Sequence, residues 1–403
     1  MATTKQSSVK DLSNIKPENW VHFKLKPGEK IFMCKKCLTL STRPRAAFDE
    51  DGVCNACRNM ESKKSGAINW DERKKYLKEL CDKYRRDDGR WDVLVPGSGG
   101  KDSVSVAWKM KHELGMHPLC VMIANELPND IGRKNFDNWV KAGFDVVQIH
   151  PDPTAFRKLA KIGFIEQGRP KMPFVTGIET VSLQMAVRFD IPFVMMGEEG
   201  ETEYGGVTTL AKKANMTRQE IIDYYFSGIE PDKHLGKMGV TEKDVQWFKI
   251  PSEEDLDRVG VFYAFWSWFE DWDPYGNYLF AKKNTGFNEL PHRSIGTYTN
   301  FAQLDDNMQD LHAYMMYIKF GFGRAWSDAA IDIRRGALDR EQAIELVKAY
   351  DGEFPEKYLQ EYLDYFEMTE EEFFKTIDSF RSPDIWEKVD GEWKLKFDID
   401  QLA

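Results

Sequence analysis

The sequence predicts an α/β fold built on a parallel sheet with helices on both faces, and three observations carry that expectation. Short apolar runs at Asp92–Pro96, Pro118–Ala124, Asp145–Ile149 and Ile191–Met196 have the length and composition of buried strands. Segments with helical apolar spacing separate them, which calls for right-handed crossover connections. A glycine turn, Gly97-Ser98-Gly99-Gly100, sits where the first run ends and a helical stretch begins.

The elements follow in chain order. Trp70, Tyr76, Leu77, Leu80 and Cys81 recur at helical spacing in a polar stretch over Asn69–Arg86. Helices are expected over Asp102–Leu114, Arg133–Ala142, Thr154–Ile165 and Gly177–Phe189, between the four strands. Past about residue 250 the character changes. Aromatics crowd into VFYAFWSWFEDWDPYGNYLF, and AIELVKAY and YLQEYLDYFE show helical periodicity. The expected organisation is an extension over 1–30, a zinc ribbon over 31–65, the sheet domain over 66–250 and a mainly helical, substrate-binding region over 251–403.

Bulk properties narrow the class. The chain has 403 residues, 42% of them hydrophobic and 30% charged, as in a globular protein of two or three domains. No run of eighteen apolar residues is present, and the N-terminus lacks an apolar signal core, so a cytoplasmic protein is expected. A net charge of -10 argues against nucleic acid as the main partner. Residues 1–90 nevertheless carry 21 Lys and Arg against 13 Asp and Glu. That excess suits an anionic partner or a solvated face.

Four of the six cysteines form two CxxC turns, Cys34–Cys37 and Cys54–Cys57. Each turn aims two thiolates at one centre, the arrangement a tetrahedral zinc ion prefers. Disulfides or free thiols are the alternative, the former disfavoured in a reducing compartment. Four sulfur ligands leave no open position, so the ion is expected to be structural. The Asp51-Gly52 turn suits a ribbon folding back on itself.

The glycine turn continues as Lys101-Asp102-Ser103. A strand–turn–helix junction of this kind points backbone N–H groups and a helix dipole at an anion. Asp102 after Lys101 breaks the Walker A pattern, and Asp102 also stands where a dinucleotide fingerprint needs its third glycine. The hexapeptide SGGKDS resembles the PP-loop, SGGxDS, of the ATP pyrophosphatase superfamily. That resemblance implies ATP as cosubstrate, with Ser98, Gly99, Gly100 and Ser103 on the pyrophosphate and Asp102 helping to hold Mg²⁺. Lys101 takes the variable position, where its charge favours the departing pyrophosphate. It also places Ala124–Glu126 near the nucleotide, with Asn125 as a candidate contact.

After the fourth strand, Gly197-Glu198-Glu199-Gly200-Glu201 brings carboxylates to the same sheet edge. Glu198, Glu199 and Glu201 are candidate magnesium ligands that the sequence does not rank.

The knuckles ahead of SGGKDS, with MGEEGETEYGG, WDPYGNYLFAKKNTGF, ELPHRS, IGTYTNFAQLDD and KFGFGRAWSDAAIDIRRG, are together similar to the N-acetyl sugar amidotransferases of pseudaminic acid and lipopolysaccharide biosynthesis. The resemblance spans about residues 30–360. It implies conversion of an acetamido group of a nucleotide sugar or sugar acid to an acetamidino group. No N-terminal Cys glutaminase is visible, so the resemblance implies separate glutaminase and cyclase-like subunits supplying ammonia. His292, Arg293, Arg324, Asp328, Arg334 and Arg335 are candidates for an anionic sugar. A tRNA-thiolating enzyme is the rival reading, weakened by the two cysteines left over and by the overall charge. A non-catalytic zinc-ribbon scaffold is a further one.

Overall fold

The computed structural model describes residues 21–207 and 209–402, so most of the expected N-terminal extension lies outside the described residues. Five parallel strands form the central sheet: β1 (Val93–Pro96), β2 (Pro118–Ile123), β3 (Asp145–Ile149), β4 (Phe193–Met196) and β5 (Phe262–Phe265), in the order β3-β2-β1-β4-β5. The register is fixed by pairs such as Val95 with Cys120, Leu94 with Val194 and Met195 with Ala264.

Alternation along each strand divides the core. Val93, Val95, Phe193, Met195 and Ala264 face the helices Lys101–His112 and Asp130–Lys141. Leu94, Val194, Tyr263 and Phe265 face Pro153–Gln167 and Met172–Phe189. Because side chains alternate across a strand, a sheet covered on both faces must be apolar at nearly every position. The four-residue strands β1 and β4 satisfy that requirement.

The chain winds from β1 outward to β3, then returns to lay β4 on the other side of β1. This reversal opens a crevice at the C-terminal ends of β1 and β4.

One expected boundary moves. The sheet does not end near residue 250, because β5 pairs with β4 in parallel through Phe193–Phe262 and Met196–Phe265. The aromatic segment that looked like a change of domain is the edge strand and its flanking helix. The helix Pro274–Thr285 then packs on Lys101–His112, the helix that follows the glycine turn, and Ser105 Oγ lies 3.2 Å from the Asn277 carbonyl. The C-terminal region is mainly helical, with one antiparallel hairpin, β6 (Trp386–Val389) and β7 (Glu392–Leu395).

The C-terminal helices share the core of the sheet domain. Phe164 and Ala160 pack with Met308, Leu311, Met315, Phe366 and Phe373. The four-cysteine module packs Leu38, Leu40 and Val53 against Trp326, Ala329, Ile344 and Val347.

Lys319 marks a strained contact in this packing. Its buried ammonium donates to the Gln167 carbonyl at 2.6 Å, and burial with the nearby Arg169 guanidinium pulls its pKa down to about 7. The unfolded chain then binds the proton more tightly than the folded one, so stability falls as pH drops from the ordinary lysine range toward 7 and levels off below it, where both states are protonated. Urea unfolding of the wild type should show stability rising between pH 7 and 10, by at most about 1.4 kcal/mol per pH unit from this group, and Lys319→Met should flatten that rise.

Candidate active site

The glycine turn and the start of the following helix span Gly97–Ser103 at the end of β1. Gly99 has φ +83°, and a Cβ there would meet the Phe136 backbone at 3.0 Å. A Cβ on Gly97 would fall 2.2 Å from that of Ser103. The turn therefore closes only with hydrogen at these positions. Gly100 caps the helix Lys101–His112 without a side chain, so the first amides of the helix remain available to an anion.

Asp102 is held from two sides: Trp272 Nε1 and Asn277 Nδ2 both donate to its Oδ1, at 3.1 and 2.8 Å. Its other oxygen pairs with the Lys101 ammonium. Burial works against the charge on Lys101, but Asp102 and Glu198 outweigh it and keep the ammonium above its ordinary range. Ser103 Oγ donates to the Gly100 carbonyl at 3.1 Å.

The three candidate glutamates separate cleanly. Glu199 caps the short helix Gly200–Tyr204, accepting from the amides of Glu201 and Thr202 at 3.0 and 2.8 Å. Glu201 turns to the other side and forms a buried, two-armed ion pair with Arg45. Glu198 alone of the three lines the crevice, where its enclosure and the Asp102 charge raise its pKa to about 7, against the pull of Lys101.

The crevice encloses about 640 Å³. Residues 97–103 and Glu198 form one wall. Thr299, Asp305, Arg324, Asp328, Asp332 and Arg335 form another. Asp328 accepts from the hydroxyls of Thr297 and Thr299 at 2.6 and 3.2 Å, and Arg335 pairs with Asp273 at 2.9 Å and Asp332 at 3.2 Å.

Other candidates lie elsewhere. Asn125 is not on the wall: it is buried and donates to Asp305 Oδ2 at 3.0 Å. Arg293 is tied to Glu353 at 2.6 Å, and His292 is exposed beside it. Arg334 points away from the crevice to the cysteine module, with Nη1 3.6 Å from Cys37 Sγ and Nη2 donating to the Glu203 carbonyl at 3.3 Å. Residues that sequence reasoning passed over are Trp272, Asn277, Tyr204, Lys171 and Arg43. Trp272 and Asn277 lie in the WDPYGN segment, which is where a signal existed.

The four cysteine sulfurs lie within 4.8 Å of one another, all buried. Cys34 and Cys57 are 3.8 Å apart and Cys37 and Cys54 3.6 Å, far beyond a disulfide bond of about 2.05 Å. A tetrahedral zinc ion with bonds of about 2.3 Å sets its sulfurs roughly 3.8 Å apart. Amides of Lys36, Thr39 and Cys54 donate to these sulfurs at 3.4, 3.4 and 3.2 Å, which favours thiolates. The geometry thus fits a single four-thiolate ion.

Residues 295–399 match the family described as LPS biosynthesis protein WbpG-like, C-terminal domain. The WbpG-like domain supplies the crevice wall from Thr299 to Arg335. A Methanocaldococcus jannaschii protein, MJ1599, is 28% identical over 94 residues, 23% of this chain; the chain spans only 33% of that relative's length. Among solved structures, NMN synthetase from Francisella tularensis is 12% identical, with 50% of this chain and 93% of that one aligned at a TM-score of 0.26. The U34-tRNA thiolase NcsA from Methanococcus maripaludis, solved with its [4Fe-4S] cluster, is 13% identical over 76% and 86% of the two chains, with a TM-score of 0.27. Similarity at that level says nothing of the chemistry in this crevice. Among the described residues no helix is long and apolar enough to cross a membrane.

Elemental analysis of the purified protein should find one transition-metal ion per chain, and the double variant Cys34→Ser/Cys57→Ser should lose it together with a fall in Tm. Glu201→Gln should lower stability in a denaturant titration, because it removes the carboxylate charge from a buried, two-armed ion pair. Glu198→Gln, which breaks no ion pair, should stay within about 0.5 kcal/mol of the wild type in the same denaturant titration.

Proposed function

We propose that the protein is an ATP-dependent amidotransferase of surface-glycan biosynthesis, replacing the oxygen of a sugar's acetamido group with ammonia. One observation carries this reading. The SGGKDS loop and the WbpG-like domain face each other across a single crevice of about 640 Å³, a volume suited to a nucleotide and a sugar.

An amide carbonyl resists displacement by ammonia until its oxygen is made a leaving group. In the proposed reaction the carbonyl oxygen attacks the α-phosphorus of ATP; the new O–P bond forms as the bond to the β-phosphate breaks and pyrophosphate leaves. Ammonia then adds to the imidate carbon, the C–O bond breaks, AMP departs, and the added nitrogen gives up a proton to leave the amidine.

The residues take roles that their placement supports. Backbone amides and hydroxyls of Ser98–Ser103 hold the pyrophosphate, with Lys101 offsetting its charge. Asp102 and Glu198 are the magnesium ligands; the ion, when bound, neutralises charge on the departing phosphates. The cysteine quartet holds zinc as a structural ion. Arg324, Asp328 and Arg335 face the acceptor. Ammonia comes from separate glutaminase and cyclase-like subunits in the cytoplasm, and free ammonium serves in vitro.

The test is pyrophosphate and AMP release with Mg-ATP, an ammonium salt and a panel of N-acetylated nucleotide sugars and sugar acids, with mass spectrometry of the products. A product in which one oxygen has become NH is expected, at least 100-fold slower with Asp102→Ala. Glu198→Gln should raise the magnesium concentration for half-maximal rate at least tenfold. Pyrophosphate release stimulated by tRNA, with no sugar responding, would replace this reading with the thiolase one.

A further inference from the structure

Five cationic side chains line the crevice, and four of them have carboxylate partners. Lys101 pairs with Asp102, Lys171 with Asp306 at 2.6 Å, Arg324 with Asp310 at 3.3 Å, and Arg335 with Asp273 and Asp332. Arg43 is the exception. Among the described residues its guanidinium has no carboxylate partner and touches only two aromatic faces, Tyr204 with its centroid at 5.3 Å and Phe322 at 5.5 Å.

Arg43 is also held in place. On one side Thr42 Oγ1 donates to the Phe320 carbonyl at 2.6 Å; on the other, Arg45 is locked on Glu201. The Arg43 carbonyl accepts from the Ala46 amide at 3.1 Å. This short strap of the cysteine module crosses from the C-terminal helices to the loop after β4, and Arg43 projects from its middle into the crevice.

An enclosed guanidinium without a counter-ion is unfavourable, and stacking on two aromatic faces recovers only part of the cost. Enclosure lowers its pKa to about 10, so the charge persists at neutral pH. The Glu201 carboxylate, whose field reaches it, is already paired with Arg45. Nor does Arg43 serve the phosphate loop directly. Its contacts run to Tyr204, whose ring centroid lies 5.8 Å from that of Trp272, and it is Trp272 that donates to Asp102.

We propose that Arg43 forms an oxyanion subsite for the acceptor, gripping a carboxylate or phosphate carried by the acetamido sugar while the phosphate loop holds ATP. The planar fork of arginine suits either group through paired N–H donors. The assignment rests on the amidotransferase reading and deepens it: the acceptor must be anionic, and the cysteine module contributes one of its contacts.

The test is calorimetric binding to the intact protein, with the phosphate loop filled by a non-hydrolysable ATP analogue and Mg²⁺. Three probes are titrated: N-acetylneuraminate (a carboxylate), UDP-N-acetylglucosamine (a diphosphate) and N-acetylglucosamine (neutral). At least one anionic probe should bind the wild type, and on the order of 10- to 100-fold more weakly to Arg43→Ala, the worth of a charge-assisted hydrogen bond. The probe that responds identifies the oxyanion. Arg43→Lys, which keeps charge but not the fork, should fall between, and the analogue's own affinity should stay within about twofold. Metal content and Tm of both variants confirm that the module is intact.

Equal affinities for wild type and Arg43→Ala overturn the assignment, as does a parallel loss of ATP-analogue binding, which would place Arg43 on the nucleotide. The outcomes also separate the two levels of the proposal. An amidine made equally well by wild type and Arg43→Ala removes only this subsite. A wild type that binds no sugar and makes no amidine removes the amidotransferase reading along with it.

Discussion

Two buried ion pairs, Arg45 with Glu201 and Lys63 with Glu203, fix the loop after β4, and the crevice depends on where that loop lies. Lys63 Nζ sits 2.7 and 2.9 Å from the two Glu203 oxygens and 3.0 Å from Asp271. Asp271 adjoins Trp272, which donates to Asp102. The cysteine module thus reaches both halves of the site at once: Glu198 through the loop, and Asp102 through Trp272. Buried pairs add little net stability, but losing one partner is costly, so their value lies in excluding other positions of the loop. A module of some thirty residues does not hold such a geometry by its own core. A four-thiolate ion bound there, worth roughly 10–16 kcal/mol in such sites, would be of the size needed to keep it folded.

The same module is cemented to the C-terminal helices. Arg340 Nη1 donates to the carbonyls of Cys34 and Cys37 at 2.9 and 2.6 Å, and Trp326 Nε1 donates to the Leu38 carbonyl. Arg334, expected at the substrate, satisfies Cys37 Sγ instead. A guanidinium beside a thiolate set offsets its negative charge. Cysteine module, sheet edge and the segment that matches the WbpG-like domain therefore form one packed body around the crevice rather than three modules joined by linkers.

Much of this was legible in the sequence, for physical reasons that differ by element. Strands covered on both faces must be apolar throughout, so β1, β2 and β4 read directly, and SGGKDS read because steric limits at Gly97 and Gly99 leave little alternative. β5 was harder: its FYAF sits among other aromatics, and the run resembled a change of domain rather than one more strand. The β6–β7 hairpin had a signal that went unread. Asp390 and Gly391 take φ of +53° and +88°, the two left-handed positions that an Asp-Gly hairpin turn requires. The choice among Glu198, Glu199 and Glu201 was not legible at all. One residue of turn rotates a side chain by about 100° along a helix, and only the partners waiting on each side decide which carboxylate is capping, paired or free.

On the proposed reaction, the arrangement of charges answers a difficulty of the chemistry. An amide oxygen is a weak nucleophile toward phosphorus, so rate depends on holding the two reactants in line rather than on strong activation of either. ATP is fixed at one end by the loop after β1. A neutral sugar held only at the other wall would keep orientational freedom within the crevice. An oxyanion clamped by Arg43, on a strap pinned at Thr42 and Arg45, removes that freedom at a point remote from the reacting carbon. Remote binding of this kind favours the aligned complex without crowding the phosphorus. The strap and the loop after β4 are joined by the Arg45–Glu201 pair, so on this reading a single element would place both Arg43 and Glu198.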